Sequence, residues 1–250
     1  MHSSILNINN VTLKVANRQQ PVLANINYTV YANDFIVLLG SNGSGKSSII
    51  KLINKVYKPT EGTMHFLGKS LESYQQKVLA QHIITLTQST HDNLFLDMTI
   101  MENAILWELR TQSLFSFSSK QQRREQFKAY IADFSAKLAS HLDMPVANLS
   151  GGEQQILILA LCLRYPPQLL LLDEHTSALD PKTASLMMEK TFEAIHQRKI
   201  TCLMTTHNLD FAVKYGNRLI AIREGSMLYE ADHQEKERLD KEKILHYCYG

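Results

Sequence analysis

A glycine-rich loop between an apolar strand and a helix limits the folds open to this chain more than any other feature. Residues 35–39 form an unbroken apolar run, as in a strand covered on both faces, and a helical pattern begins at Lys46. The loop between them fits the spacing G-x-x-x-x-G-K-[ST] and consists of Gly40, Ser41, Asn42, Gly43, Ser44, Gly45, Lys46 and Ser47. This order of elements predicts an α/β fold with a parallel sheet.

The composition of the loop indicates polyphosphate binding. Backbone N–H groups reach phosphate oxygens where no β-carbon blocks them, and glycine permits the turns that this requires. We expect Lys46 to reach the β- and γ-phosphates, the Ser47 hydroxyl to bind Mg²⁺ and Ser48 to add a nucleotide contact. The following helix directs its positive end toward the anion. A purely structural glycine turn is the alternative.

Further apolar runs fit the same fold class. Buried-strand candidates are residues 83–86, 169–172 and 200–204, and a short strand is expected at 63–67. Residues 6–9 and 22–30 alternate between apolar and polar side chains, which predicts half-buried strands at the N-terminus. The stretch 92–145 breaks the alternation of strand and helix, because it has helical spacing over 99–110 and 120–141 and no strong strand candidate. We expect a helical insert there, and a solvated polar helix in the tail 231–243.

Two acids, Asp173 and Glu174, directly follow the apolar run 169–172. This is the carboxyl end of a strand, where ligands bind in open α/β sheets. Asp173 would hold Mg²⁺, directly or through water, and Glu174 would polarise the attacking water as general base. Surface acids after an ordinary strand end are the alternative.

The hexapeptide LSGGEQ at 149–154 starts a second apolar helix. Ser150 and Glu153 form an S-x-x-E capping box, which accounts for a helix start. It does not account for Gly151 and Gly152, since glycine in a helix costs up to about 1 kcal/mol relative to alanine. Bare N–H groups at a capped helix start suit a phosphate. We expect this helix N-terminus, which we call the signature tip, to contact the γ-phosphate bound by another copy of the protein.

LSGGEQ is similar to the signature motif of the ATP-binding cassette (ABC) ATPases, and the resemblance covers nearly the whole chain. It implies ATP hydrolysis with Mg²⁺ on a P-loop NTPase (RecA-like) core, with an N-terminal antiparallel β subdomain and an inserted α-helical subdomain. A single ABC ATPase domain would then fill residues 1–250. It would comprise a core of 1–91 and 146–230, a helical subdomain of 92–145 and a tail helix of 231–250.

The resemblance assigns roles to further residues. Gln88 matches the Q-loop glutamine, which contacts metal and water and couples to the membrane subunit, and His207 matches the switch histidine at the γ-phosphate. A lone histidine at a strand end is otherwise more often structural. The catalytic set is then Glu174, His207 and Gln88, with Ser47, Gln88 and Asp173 at the metal. The residues acting across the dimer are Ser150, Gly151, Gly152, Glu153 and Gln154 of the signature, and Ser177 and Asp180 of the D-loop.

Two positions depart from the family pattern. His175 stands where most cassettes have Pro, and its role stays open. Cassettes usually place an aromatic residue near the end of the first strand to stack on adenine, but 11–27 contains none and Val15 falls about where it would be. Stacking is worth very roughly 1 kcal/mol, so we expect ATP to bind through its phosphates. How the base is selected stays open.

The resemblance also implies partners. Two cassettes close head to tail as a homodimer and pass their motion to transmembrane permease subunits. Segments 173–184 and 205–220 look closest to an importer branch that uses a periplasmic or lipoprotein solute-binding protein. We expect import of a small solute, such as an amino acid, driven from the cytoplasmic face of the inner membrane. The alternatives are a non-transport cassette acting as scaffold or assembly factor, and an unrelated P-loop kinase, which leaves LSGGEQ unexplained.

Composition argues against other classes. Twenty-six Lys and Arg against 24 Asp and Glu give a net charge of +2, and aromatic residues do not interleave with basic clusters, so nucleic-acid binding has no support. The longest apolar run, 156–163, is too short to span a bilayer. The first residues lack the charged and then apolar pattern of a signal peptide. The three cysteines are far apart and do not have the spacing of metal ligands. We expect a soluble, cytosolic protein with reduced thiols.

Two surface features leave alternatives open. The small basic cluster at 120–124 is either a solvated face or a contact for lipid headgroups or permease. Phe95, Leu96 and Met98 either pack against the helical insert or form part of a groove for a permease helix.

Overall fold

A computed structural model describes residues 3–16, 18–111, 119–164, 166–177 and 179–249. It divides into two compact units. The first comprises Met1–Thr85, Gln168–Glu174 and Ile195–Gly250, and the second comprises Leu86–Pro167 and His175–Ala194.

The secondary structure of the described residues alternates between strands and helices over much of the chain. The strands are β1 (Ser4–Leu13), β2 (Leu23–Tyr31), β3 (Phe35–Leu39), β4 (Glu61–Phe66), β5 (Lys69–Ser70), β6 (Ile83–Thr87), β7 (Leu169–Asp173), β8 (Cys202–Thr206), β9 (Arg218–Arg223) and β10 (Ser226–Ala231). The α-helices are α1 (Lys46–Ile53), α2 (Gln76–His82), α3 (Ile100–Thr111), α4 (Lys120–Ala132), α5 (Ala136–Ser140), α6 (Gly151–Arg164), α7 (Pro181–Arg198), α8 (Leu209–Lys214), α9 (His233–Lys236) and α10 (Lys241–Tyr249). Single 3₁₀ turns lie at Leu71–Ser73, Thr90–Asp92 and Val146–Asn148.

An antiparallel sheet with the order β2-β1-β4-β5 lies in the first unit. Buried and more exposed side chains alternate along its strands, as the sequence predicts. In β2 the buried residues Leu23, Ile26, Tyr28 and Val30 are separated by more exposed ones. Only one face of the sheet therefore packs against the core, which is the arrangement that alternating hydrophobicity produces.

The second sheet has the order β10-β9-β3-β8-β7-β6. Strand β3 lies between β8 and β9 and is parallel to both, and β7 is parallel to β8. Every residue of β3 is buried, as the unbroken apolar run predicts. Because the strands are parallel, the carboxyl ends of β3, β7 and β8 meet at one edge, where Leu39 pairs with Thr206 and Asp173 with Thr205.

The helix predicted for 120–141 is wrong as a single element. The structure has two helices there, α4 and α5, with a break at 133–135. The Ser135 hydroxyl accepts a hydrogen bond from the Leu138 N–H at 3.3 Å and so caps a new helix. Serine in this position competes for the backbone donors that a continuous helix would use.

The tail also differs from the expectation of one solvated helix. Asp232 and Glu235 form a capping box at the start of α9, and Asp240 accepts from the Lys243 N–H at 2.8 Å at the start of α10. The tail is not fully solvated, because Lys236 is only 5% exposed and its Nζ donates to the Val213 carbonyl at 2.8 Å. Loss of water around this ammonium lowers its pKa.

The second unit contains helices α3 to α6, helix α7 as far as Ala194, and the described part of the predicted insert 92–145. This unit also includes residues 146–167 and 175–194. Compact units are not the same as the predicted subdomains, so the predicted boundaries at 91, 145 and 230 remain a prediction. No helix in the described part of the chain combines the length and the apolar character needed to cross a membrane.

Candidate functional site

The glycine-rich loop leaves the carboxyl end of β3 and turns into α1. Gly45 has a φ of +111°, and a β-carbon there would lie 2.7 Å from Cδ2 of Leu23. Only glycine satisfies both conditions. Gly43 has a φ of +81° with no atom within 4 Å of the place a β-carbon would take, so its surroundings are open.

The Lys46 ammonium forms hydrogen bonds with two carbonyl groups of its own loop. Its Nζ donates to the carbonyls of Gly40 at 2.8 Å and Ser41 at 3.0 Å, and the residue is only 4% exposed. The Ser44 hydroxyl is also buried, and it has no hydrogen-bond partner among the described residues. A buried donor without a partner, in a loop with bare N–H groups, fits a ligand rich in acceptor oxygens such as a phosphate.

Ser47 and Asp173 form the oxygen pair that we expect at the metal. The Ser47 hydroxyl donates to Oδ1 of Asp173 at 3.1 Å. Hydroxyl and carboxylate oxygens are ligands that Mg²⁺ accepts, and this ion is often held by one or two protein groups together with substrate phosphates. The described residues contain no cluster of three or more His, Cys, Asp or Glu side chains suited to a metal. Ser47 and Asp173 therefore fit Mg²⁺ held together with a nucleotide.

Thr205 is a site residue that the sequence did not single out. Its hydroxyl is buried on β8, donates to Oδ1 of Asp173 at 2.7 Å and lies 3.2 Å from the backbone N–H of Glu174, from which it accepts. One hydroxyl thus binds both Asp173, the last residue of β7, and Glu174, the residue after it. The contact depends on the pairing of β7 with β8, which is visible only once the sheet is assembled.

The Glu174 carboxylate lies between the Lys46 ammonium and the His207 ring. Its Oε1 is 3.5 Å from Nζ of Lys46, and its Oε2 is 3.3 Å from Nδ1 of His207, a residue with a half-exposed side chain. The Glu174 backbone has a φ of +48°, a left-handed conformation that costs a non-glycine residue roughly 1–2 kcal/mol. Strain of this kind persists where surrounding contacts hold the residue in place, and it is common at active sites.

A cavity of about 530 Å³ adjoins these groups. This volume falls within the range of small-molecule sites. Its lining residues all belong to the first unit and are Val15, Arg18, Val22, Asn42, Gly43, Gly45, Lys46, Ser47, Ser48, Tyr57 and Glu174. The loop residues and the proposed base therefore face one common space.

The predicted capping box forms at the start of α6. The Ser150 N–H donates to Oε2 of Glu153 at 2.9 Å, and the Glu153 N–H donates to the Ser150 hydroxyl at 3.4 Å. The Lys137 ammonium, 2.6 Å from Oε1 of Glu153, and Ser150 together lower the pKa of this carboxyl. The Glu153 side chain is therefore engaged within its own unit.

The two signature glycines differ in their surroundings. A β-carbon on Gly152 would lie 2.9 Å from Cγ2 of Thr183, so packing within the unit accounts for this glycine. A β-carbon on Gly151 would meet no atom within 4 Å. The described chain therefore gives no packing reason for glycine at 151, although glycine lowers the stability of a helical turn.

Gln154 and the next residue, Gln155, connect the signature helix to the segment after β6. Oε1 of Gln154 accepts from the Thr90 hydroxyl at 2.7 Å, and Nε2 of Gln155 donates to the Gln88 carbonyl at 3.4 Å. The Gln88 side chain is exposed. The roles predicted for Gln154 across a dimer and for Gln88 at the metal remain predictions.

The D-loop residues flank the start of α7. Oδ1 of Asp180 accepts from the N–H groups of Lys182 at 3.2 Å and Thr183 at 3.1 Å, and the bonds to Thr183 are the main cause of the lowered pKa of this carboxyl. Asp180 is therefore a helix cap in this chain. Ser177 is exposed, and residue 178 of the motif lies outside the described residues.

The predicted site residues thus form two sets. The first unit brings together Lys46, Ser47, Asp173, Glu174 and His207 by the contacts above. The second unit contains the other set, which comprises Gln88, Ser150, Gly151, Gly152, Glu153, Gln154, Ser177 and Asp180.

The sequence matches the model of the family described as ABC transporter over residues 23–177. A tyrosine transport ATP-binding protein of Clostridioides difficile is 31% identical over 224 residues, which cover 90% of this chain and 89% of that protein. A phosphonates import ATP-binding protein of Bdellovibrio bacteriovorus is 27% identical over 240 residues, covering 92% and 89%.

Solved structures show the same fold. The cbiO1 protein of Clostridium perfringens, part of the ABC transporter complex cbiONQ, superimposes with a TM-score of 0.80 at 21% identity, covering 97% of this chain and 95% of that one. A bacterial ABC transporter cassette solved as a dimer gives a TM-score of 0.75 at 25% identity, covering 92% and 99%. The fold is therefore the cassette's α/β P-loop NTPase fold. With the phosphate loop, the acid pair and the signature helix in place, the chain belongs to the ABC transporter family and is one of its ATP-hydrolysing ATP-binding subunits.

Proposed function

We propose that this subunit drives the import of a small solute, such as an amino acid, through separate permease subunits, and that it works as a head-to-tail homodimer. The single observation that carries the dimer is the open space around Gly151. Relatives named for tyrosine transport, methionine import and phosphonates import support an importer. Two of these three names refer to amino acids.

Hydrolysis would proceed in the cavity of the first unit. The loop N–H groups and Lys46 would bind the triphosphate and neutralise its charge, and Ser47 and Asp173 would hold Mg²⁺. When bound, this ion would supply electrostatic stabilisation of the charge that develops during hydrolysis. Glu174 would orient a water molecule and accept its proton as the water oxygen bonds to the γ-phosphorus. The bond from that phosphorus to the β–γ bridging oxygen breaks in the same step, and ADP leaves. His207, whose Nδ1 is 3.3 Å from Oε2 of Glu174, would contact the γ-phosphate.

The second cassette would complete each site. The capped start of α6 presents N–H groups and the positive end of a helix, and Gly151 leaves them without side-chain cover. We propose that the signature tip binds the γ-phosphate held by the partner's loop. ATP then favours the closed dimer and ADP does not, so the difference in affinity between the two conformations delivers the energy.

An exposed apolar pair in the second unit supports a permease partner. Phe95 is 61% exposed and Met98 is 39% exposed. Their loop is held by the fully buried Asn103, whose Nδ2 donates to the Phe95 carbonyl at 2.9 Å and whose Oδ1 accepts from the Phe95 N–H at 2.9 Å. A fixed apolar surface of this kind suits an amphipathic helix of a permease.

A permease partner would determine where in the cell the subunit is located. We propose that the subunit is held at the cytoplasmic face of the inner membrane by the permease, and that a solute-binding protein delivers the substrate on the other side. The alternative, a scaffold or assembly ATPase, requires only soluble partners.

Purification of the tagged subunit from detergent-extracted membranes tests the proposal. We expect an integral membrane protein in fixed ratio to the subunit, and its loss in a double variant, Phe95→Ser with Met98→Ser. The control is Leu245→Ser, which changes a leucine of similar exposure on α10. Recovery of soluble partners alone would contradict the transport function.

A further inference from the structure

An aromatic side chain, Tyr57, lines the nucleotide cavity, and it does not belong to the first strand. The loop residues that bind phosphates account for most of its lining. The remaining lining residues include Val15, Arg18 and Tyr57, and Tyr57 is the aromatic residue in the described lining. A base attached to phosphates on the loop has to reach the part of the cavity that these residues line.

The end of helix α1 fixes the position of Tyr57. Lys55 has a φ of +58°, which turns the chain back at the helix end. The N–H groups of Val56 and Tyr57 then both donate to the Lys51 carbonyl, at 2.8 and 3.2 Å. This resembles the Schellman type of helix ending, in which the residues after the turn are held against the last helical carbonyls.

Hydrogen bonds also tie the following turn to the end of β1. The Thr60 N–H donates to the Thr12 carbonyl at 2.8 Å, and the Thr60 hydroxyl accepts from the Lys14 N–H at 2.9 Å. Lys14 directly precedes Val15. Two segments that are distant in sequence, 12–15 and 57–60, are therefore held side by side at the cavity.

The Tyr57 ring is available to a ligand. The residue is 37% exposed, and Nζ of Lys51 lies 5.4 Å from the ring centroid. This cation–π contact favours one orientation of the ring. An exposed ring with a fixed backbone loses little freedom when a flat ligand stacks on it.

We propose that Tyr57 is the stacking surface for the nucleotide base, in place of an aromatic residue at the end of the first strand, with Val15 packing beside it. This inference rests on the proposed binding of the phosphates to the loop. Stacking recognises the face of any base and discriminates weakly between them. Tyr57 therefore contributes affinity for the base that is nearly the same for ATP and GTP.

Equilibrium binding of ATP, GTP and inorganic tripolyphosphate to the full chain, each with Mg²⁺, tests this role. In Tyr57→Ala we expect the Kd for ATP and for GTP to rise about two- to tenfold each, the range that one aromatic contact supports. Tripolyphosphate, which has no base, should bind the variant as it binds the wild type. The control Tyr31→Ala removes a tyrosine of similar exposure, 39%, that does not line the cavity.

A rescue variant separates a stacking role from a structural one. Adding Val15→Tyr to Tyr57→Ala supplies an aromatic ring to the same part of the cavity, and we expect it to restore ATP affinity without changing tripolyphosphate binding. The inference is overturned if Tyr57→Ala binds ATP as tightly as the wild type, or if it loses tripolyphosphate affinity to the same extent.

Failure of this inference is distinguishable from failure of the proposed function. If ATP binding is lost in Lys46→Ala but unaffected in Tyr57→Ala, the phosphate site stands and only the base site is wrong. If the wild-type chain binds neither ATP nor tripolyphosphate, the nucleotide site itself is wrong and the base site falls with it.

Discussion

The hydroxyl of Thr205 donates a hydrogen bond of 2.7 Å to Oδ1 of Asp173, the carboxylate that we assign to Mg²⁺. The same hydroxyl accepts from the N–H of Glu174, the proposed base. Because Thr205 is buried, no solvent molecule replaces this bond easily. The position of both acids therefore depends on a neighbouring strand.

Replacing Thr205 with valine keeps the side-chain volume and removes the hydroxyl. We expect kcat for ATP hydrolysis to fall about ten- to a hundredfold, since a hydrogen bond to a charged group is worth about 1.5–3 kcal/mol, and we expect a smaller change in the Kd for ATP. Steady-state kinetics and equilibrium binding measure the two quantities separately. Thr205→Ser restores the hydroxyl and should restore kcat, whereas an unchanged kcat in the valine variant would show that Thr205 does not position the acids.

Replacing Glu174 with glutamine removes the proposed base and leaves the residues of the phosphate loop unchanged. We expect kcat to fall by about a hundredfold or more, the usual contribution of a general base, while ATP binding is retained and a closed dimer accumulates. Turnover assays and size-exclusion chromatography with ATP check both parts. Ordinary turnover in this variant would mean that another group is the base.

From the left-handed backbone conformation of Glu174 we predict how substitutions there change the free energy of unfolding. Two variants that both lack the carboxylate, Glu174→Gly and Glu174→Ala, should differ, because only glycine adopts a φ of +48° without strain. We expect Glu174→Gly to be more stable than Glu174→Ala by roughly 1 kcal/mol in urea unfolding. Equal stability of the two would show that the backbone relaxes when the side chain is lost.

Burial of His175 predicts a loss of stability in acid. Burial lowers its pKa to about 4 from the usual 6.5, and its Nε2 has no hydrogen-bond partner among the described residues. Since the unfolded chain then binds a proton more readily than the folded one, His175 lowers stability as the pH falls from about 6.5 to about 4. The loss levels off below that range.

Urea unfolding of the wild type and of His175→Leu across this pH range measures the effect. We expect the wild type to lose up to about 3 kcal/mol relative to the variant between pH 6.5 and 4, and no further difference above pH 7. A constant difference between the two proteins over the whole range would contradict the burial of a neutral imidazole.

The sequence predicts those parts of the fold that depend on local patterns. The apolar run before the phosphate loop becomes β3, and the apolar run 169–172 becomes most of β7, because strands buried on both faces need apolar side chains throughout. The capping box at Ser150 and Glu153 is likewise local and forms as predicted. Periodicity did not reveal the break between α4 and α5, since the residue that causes it, Ser135, is compatible with a helix surface.

The strands β9 and β10 were missed for a different reason. They are joined by Glu224 and Gly225, with φ values of +48° and +78°, which form a two-residue hairpin turn. A Glu-Gly pair is a weaker turn signal than Asn-Gly or Asp-Gly. Thr205 and Tyr57 were missed because their roles arise from contacts between segments that are distant in sequence, and no local pattern marks such contacts.

We propose that each ATP site is built from the phosphate loop of one subunit and the signature helix of the other. ATP hydrolysis by a mixture of two variants that we expect to be inactive, Lys46→Ala and Gly151→Asp, tests this arrangement, and the open space at Gly151 lets the second variant fold. In a mixed dimer, one site then has an intact Lys46 from one subunit and an intact Gly151 from the other. We expect the mixture to hydrolyse ATP although neither variant does so alone; a mixture as inactive as its two components would contradict the claim.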